Sequence, residues 1–251
     1  MRSLRRSLSA LVQRARKLLA VLRDDGLVES VVLVRGYVEY RREKLFGARV
    51  DRKYGSETSG RIPLDRLEID SPNVAEGVQY EPVSELYFRR MLGAVRIPPD
   101  TYVFVDLGSG KGRALLMAAE WPFTRFVGID FSPELHEIAR QNIARFKART
   151  GSEQTFELHV GDAASFELPR EPIALHLFNP FGEPVLREVL DRLGASLREA
   201  PRDVLVFYKN PLHRRVFENA PFLRRVKATS QYAVYASETA RVDPVATALD
   251  T

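Results

Sequence analysis

From residue 102 the chain alternates short apolar runs with amphipathic stretches. Tyr102–Val105, Phe126–Ile129, Phe156–Val160, Ile173–Phe178 and Val204–Tyr208 each read as a strand bounded by turn formers. Between them Ala114–Trp121, Pro133 to about Ala148 and Pro184 to about Glu199 have helical spacing. This rhythm predicts an α/β fold, a mainly parallel sheet with helices on both faces. Phe222–Ala228 and Tyr232–Ala236 break the alternation. Only Thr229, Ser230 and Gln231 separate them, too few for a parallel crossover, so they predict an antiparallel hairpin.

The part before residue 102 is different. Leu4, Leu8, Leu11, Val12, Ala15, Leu18, Leu19 and Leu22 recur at three- and four-residue spacing among seven basic and no acidic residues. That pattern predicts an amphipathic helix over residues 1–23 with a basic polar face. Three readings fit it: packing on the body, contact with an anionic membrane surface, or an organellar transit peptide. A second helical stretch covers Leu27–Phe46, a loop runs from Asp51 to Pro63, residues 64–79 are irregular, and helix resumes after Pro82. The expected organisation is a helical extension with its loop over 1–63, the α/β domain over 64–237, and a disordered tail over 238–251.

Charge changes the picture only once it is located. The net charge is +5, which by itself suggests a nucleic-acid partner. Yet residues 1–62 hold fifteen Lys/Arg against seven Asp/Glu, and the remainder holds twenty-three against twenty-six. The α/β body is slightly acidic, which argues against nucleic acid as the partner. Cysteine is absent, so disulfides, thiolate metal sites and cysteine nucleophiles are excluded, and a cytoplasmic location is the expectation. No apolar run is long enough to span a bilayer. His136, His159, His176 and His213 lack metal-ligand spacing and read as structural, and no metal is expected.

The chemistry concentrates in Asp106-Leu107-Gly108-Ser109-Gly110-Lys111-Gly112-Arg113. Alternating glycines after a strand allow a sharp turn and close approach of a ligand. The dinucleotide fingerprint fails because Arg113 stands where its third glycine belongs, and the Walker loop fails because Gly112 follows Lys111. An acid two places before the first glycine repels phosphate and suits a cation. Asp130 ends the second strand, where a carboxylate accepts from a ribose diol. Ser132 before Pro133 already fills the helix-cap role there. Asp162 follows the third strand in Val160-Gly161-Asp162-Ala163 and is alternatively a turn aspartate. Lys111 and Arg113 read as solvated or ion-paired.

This acid-x-Gly-x-Gly-x-Gly loop, with Asp130, Asp162, Leu177-Phe178-Asn179-Pro180-Phe181 and the terminal hairpin, resembles class I S-adenosylmethionine-dependent methyltransferases across residues 80–237. The resemblance implies a Rossmann-like fold with an antiparallel last strand and S-adenosylmethionine as cofactor. It implies that Asp106, Gly108, Ser109 and Gly110 hold the methionine portion, Asp130 with Phe131 the ribose, and Asp162 the adenine. Tyr80-Glu81-Pro82 before the glycine loop, and Asp51-Arg52-Lys53-Tyr54-Gly55 with Thr58 and Gly60, are similar to a group of bacterial methyltransferases without assigned substrates. That likeness implies that Tyr80 and Ser84 lie at the methionine end and that residues 51–63 form part of a lid.

Asn179-Pro180-Phe181 resembles the Asn-Pro-Pro-aromatic signature of N-methyltransferases, with the second proline missing and the aromatic one place early. Asp-Leu-Gly-Ser-Gly and the asparagine also resemble Dot1-type protein lysine methyltransferases in short stretches. An asparagine carbonyl beside the methyl group accepts from an attacking amine and orients its lone pair. The expected reaction is therefore N-methylation of a protein side chain or small metabolite, with Asn179, Pro180 and Phe181 as catalytic candidates and Tyr208 and Asn210 nearby. A small-molecule O-methyltransferase and a non-catalytic cofactor-binding or membrane-associated scaffold are the alternatives. Asn179-Pro180 can equally be a stiffened loop over a buried phenylalanine.

Overall fold

The computed structural model describes residues 49–242 and Val245, together with individual helical positions between residues 15 and 41. Seven strands form one sheet: β1 Val103–Leu107, β2 Arg125–Asp130, β3 Phe156–Val160, β4 Ile173–Phe178, β5 Val204–Lys209, β6 Leu223–Ala228 and β7 Tyr232–Ser237. Their order is β3-β2-β1-β4-β5-β7-β6. The first five pair in parallel, and β7 enters antiparallel between β5 and β6. The parallel sheet and terminal hairpin expected from the pattern are both present. Central strands are buried on both faces, which is why β1, β4 and β5 read as continuous apolar runs.

Among the described residues from Arg49 on, six α-helices surround the sheet: α1 Arg49–Tyr54, α2 Glu85–Leu92, α3 Arg113–Ala118, α4 Pro133–Thr150, α5 Glu183–Glu199 and α6 Arg214–Glu218. Phe104, Phe126, Ala174 and Phe207 project to one face and meet Tyr54, Phe88, Met91, Leu115 and Phe146. Val105, Leu107, Val127, Leu175, Leu177 and Val206 project to the other, against Leu186, Val189, Leu193 and Phe217. Ser132 caps α4 as expected, its hydroxyl accepting from the Leu135 N–H at 3.3 Å. Two short helices escaped the sequence pattern. α1 occupies the start of the expected 51–63 loop, and α6 lies in the β5–β6 connection. Neither is long enough to establish a 3.6-residue period by itself.

Residues 1–14 and 42–48, and the tail beyond Val242 except Val245, lie outside the described residues, and with them most of the expected basic helix over 1–23. The disorder expected from residue 238 does not hold for the described part of that tail, where Ala240 and Val242 are buried and the Val245 amide donates to the Ala94 carbonyl at 2.9 Å. At the described positions Ala15, Leu19 and Leu22 of the anticipated stripe are exposed, while Val21, off that stripe, is buried. No helix among the described residues is long and apolar enough to cross a membrane.

The sheet order fixes where a ligand belongs. The chain steps outward from β1 to β2 and β3, then returns to β4 on the other side of β1. The crevice at the carboxyl ends of β1 and β4 is thus the topological switch point, where open α/β sheets bind ligands.

Candidate active site

A cleft of about 900 Å³, mouth included, opens at that crevice. Asp106, Gly108, Ser109, Asp130, Phe131, Asp162, Asn179, Pro180, Phe181 and Tyr80 all line it, so ten of the residues singled out from sequence converge on one cavity. Ser84 and Gly110 do not line it. Ser84 stands at the start of α2, with its backbone carbonyl accepting from the Phe88 N–H.

The glycine loop shapes the floor. Gly108, Gly110 and Gly112 all have positive φ, at 78°, 51° and 81°, a conformation that Cβ-bearing residues adopt only with strain. Close approach is the second reason for glycine: the ring of Tyr80 fills the space a Cβ on Gly110 would need. The amides of Gly108 and Ser109 both donate to the Ile129 carbonyl at 2.9 Å, tying the loop to β2.

Asp130 is 5% exposed and accepts from the Gly110 amide at 2.8 Å and the Ser132 amide at 3.0 Å. Burial pushes its carboxyl up to about 6; the two amides oppose that and the charge of Asp106 adds to it. Asp162 is held differently. Its Oδ2 accepts from the Ser71 hydroxyl and the Asn73 amide nitrogen, both at 2.8 Å, and its Oδ1 from the Ala164 N–H at 2.8 Å. The turn-aspartate reading thus describes its contacts within the chain, and it also pins residues 71–73 at the cavity edge.

Lys111 and Arg113 are not solvated. They are 6% and 2% exposed, and Arg113 lines the cleft. The Lys111 ammonium donates to the Ser59 carbonyl at 3.0 Å and lies 5.3 Å from the Tyr80 ring centre. Burial of Lys111 follows from the segment 55–63, within the stretch 51–63 that reads as a loop and, by resemblance, as part of a lid. Asp51 accepts from the Thr58 and Ser59 amides at 2.8 and 2.9 Å, and from the hydroxyls of Ser56, Thr58 and Ser59. Burial opposes ionisation of Asp51, but these hydrogen bonds outweigh it and its pKa falls below the ordinary value. The resulting strap is tied down at three places. Tyr80 donates its hydroxyl to the Thr58 carbonyl at 2.6 Å, Ile62 pairs with Tyr80 as an antiparallel bridge, and the Glu57 amide donates to Asn142 Oδ1 at 2.7 Å.

On the opposite wall Asn179 ends β4 with φ at 42°, a left-handed conformation that asparagine tolerates better than most residues. It is 8% exposed. The Tyr208 hydroxyl accepts from the His213 amide at 3.4 Å and donates to Asn179 Oδ1 at 3.1 Å. Tyr208 is therefore a buried support behind Asn179 and not part of the cavity wall. Asn210 stands apart from the cleft, its amide donating to the Gln231 carbonyl. Phe181 bridges to Gly77, and the Pro180 carbonyl accepts from Val78, so the motif is laced to the 74–80 segment.

His176, read from sequence as structural, also lines the cleft, with Nδ1 2.6 Å from Asp106 Oδ1. Only strand pairing reveals this, because the two residues lie seventy positions apart and face each other across β1 and β4.

Residues 104–200 match the family model described as a methyltransferase domain. No curated protein matches the chain. Among solved structures, it is similar to an RNA methyltransferase from Salinibacter ruber in complex with S-adenosyl-L-homocysteine, at 23% identity and a TM-score of 0.42, covering 66% of this chain and 95% of that one. It is also similar to a precorrin-6y C5,15-methyltransferase from Geobacter metallireducens, at 15% identity and a TM-score of 0.44, covering 68% and 93%. A third is a predicted N6-adenine-specific DNA methylase from Listeria monocytogenes, at 17% identity and a TM-score of 0.46, covering 62% and 51%. Residues 104–200 are thus similar to a methyltransferase domain, and they lie in a Rossmann-like sheet.

Proposed function

We propose that the protein transfers a methyl group to a nitrogen, on a protein side chain or a small metabolite. The observation that carries this reading is the fixed amide of Asn179 at the wall of the cofactor cleft. The residues present fit the cofactor: a glycine floor with no room for side chains, and two buried carboxylates at the ends of β1 and β2. Asp106 would face the cationic methionine end, Asp130 with Phe131 the ribose, and Asp162 the adenine edge. When bound, the cofactor supplies a methyl group on a cationic sulfur, already activated for displacement.

The chain's own task is then to position and desolvate an acceptor. Tyr208 occupies one lone pair of Asn179 Oδ1, which leaves the second to accept from an amine N–H and orient the nitrogen lone pair. Pro180 and the left-handed backbone at Asn179 hold that oxygen in place, and Phe181 covers the acceptor. The short likeness to Dot1-type lysine methyltransferases supports an amine, since it includes the loop and this asparagine. Residues 1–23 would give peripheral contact with an anionic membrane surface from the cytoplasmic side. Seven basic residues and the exposed Leu19 and Leu22 support this.

Calorimetric titration with S-adenosylmethionine and with NADH comes first, and saturable binding of the former alone is expected. Incubation of protein and metabolite extracts with labelled cofactor then follows the methyl group. Base-stable label that disappears with Asn179→Ala, at unchanged cofactor affinity, supports N-methylation. Base-labile ester label, label on hydroxyl oxygen, or label in nucleic acid would overturn it.

A further inference from the structure

His176 and Asp106 are register partners on β4 and β1, so both side chains leave the sheet on the same face. Their side chains are 2% and 4% exposed, yet both residues line the cleft. The imidazole is held by aromatic neighbours: it stacks on Phe104 at 6.1 Å and meets the Phe88 ring edge-on at 5.5 Å. A carboxylate oxygen accepts, so the proton between the pair sits on Nδ1 of His176. That leaves Nε2 buried without a hydrogen-bond partner.

A buried imidazole–carboxylate pair set among phenylalanines stabilises a fold less than apolar side chains of the same size would. A ring-nitrogen acceptor without a donor and a carboxylate on one cavity wall call for a ligand that brings N–H groups. Their sign requires a cation and would repel a carboxylate or phosphate.

We propose that His176 is a positioning residue: it clamps Asp106 Oδ1 so that the other carboxylate oxygen receives the primary ammonium of the cofactor's methionine portion. The inference rests on the cofactor reading above and extends it to one residue and one ligand group. His176 thereby sets the preference for adenosyl ligands that carry the amino group over those that lack it.

The test titrates three ligands: S-adenosylhomocysteine, its des-amino analogue, and methylthioadenosine, which lacks the whole amino-acid end. Wild type should prefer S-adenosylhomocysteine to the des-amino analogue by about ten- to a hundredfold, the scale of a hydrogen-bonded charge. His176→Phe keeps an aromatic ring against Phe104 and Phe88 but removes the donor. It should lose most of that preference while binding methylthioadenosine as wild type does. His176→Asn places an amide donor near the position of Nδ1 and should restore part of the preference. A His176→Phe protein that keeps the full amino preference overturns the proposal, since the pair is then only structural. Should His176→Phe fail to fold, a wild type that binds both homocysteine ligands equally overturns it as well. A wild type that binds none of the three overturns the cofactor reading itself, and this inference with it.

Discussion

Gly108 and Pro180 meet across the cleft so closely that a Cβ on the glycine would stand 2.5 Å from the Cβ of the proline. The glycine loop after β1 and the Asn179-Pro180-Phe181 stretch after β4 are therefore one packed unit. Gly108→Ala adds a methyl group at φ 78° and drives it into Pro180. It should cost about 1–3 kcal/mol of stability and displace Asn179. Thermal unfolding and calorimetric titration with S-adenosylhomocysteine would check this, and wild-type values for both would refute the contact.

Asp130→Asn should separate stability from binding. The folded pKa of about 6 lies above the ordinary 3.8, so the folded state favours the protonated carboxyl. The resulting stability is full below about pH 4 and is lost as the pH rises through 6. Relative to wild type, the asparagine variant should therefore gain about 1–3 kcal/mol between pH 4 and 7. A constant penalty rides on this, because one of the Gly110 and Ser132 amides loses its acceptor. Cofactor affinity should fall by about 1–3 kcal/mol, and wild-type affinity should weaken below pH 6. Paired denaturation and titration series across pH measure both.

Asp51→Ala should release the strap. The carboxylate collects two backbone amides and three hydroxyls from residues 56–59, so removing it leaves several donors without an acceptor. A loss of about 2–3 kcal/mol is expected. Faster hydrogen exchange should be confined to residues 55–63 and Tyr80. Its lowered pKa has the opposite sign to that of Asp130. The contribution is full above the ordinary carboxylate value and is lost as the pH falls through the lowered one.

Tyr208→Phe deletes the donor behind Asn179 while leaving the aromatic packing on Phe217. Cofactor affinity should hold, and kcat should drop about tenfold, the equivalent of one lost neutral hydrogen bond. Equal losses in binding and turnover would point to general unfolding of the wall.

Deleting residues 1–23 should abolish sedimentation with anionic vesicles and leave cofactor affinity unchanged. Retained vesicle binding would return that segment to a packing role.

Much of this site was legible because its parts obey local rules. A glycine at positive φ, a carboxylate at a strand end and a serine before Pro133 each answer a need of their own few residues, so Gly108, Gly110, Asp130 and Ser132 were readable in one pass. Asp162 was half legible. Its turn geometry is local, but its clamp on Ser71 and Asn73 joins segments some ninety positions apart. Tyr208 was placed on the acceptor side correctly in neighbourhood but not in role, because a strand pattern does not say which residues lie behind a wall. The solvated alternative for Lys111 and Arg113 fails because both are buried, Lys111 under a strap folded over it from residues 55–63.

The sequence by itself determined the alternation of strands and helices, the hairpin, and the glycine loop with its acids, because periodicity and backbone conformation are written within a few residues. Tertiary structure decided which distant side chains share a wall. Register between β1 and β4 put His176 on Asp106, strap closure put Tyr80 on Gly110, and the switch point put Pro180 against Gly108. Those contacts depend on strand order and on closure between remote segments, and no local pattern encodes either.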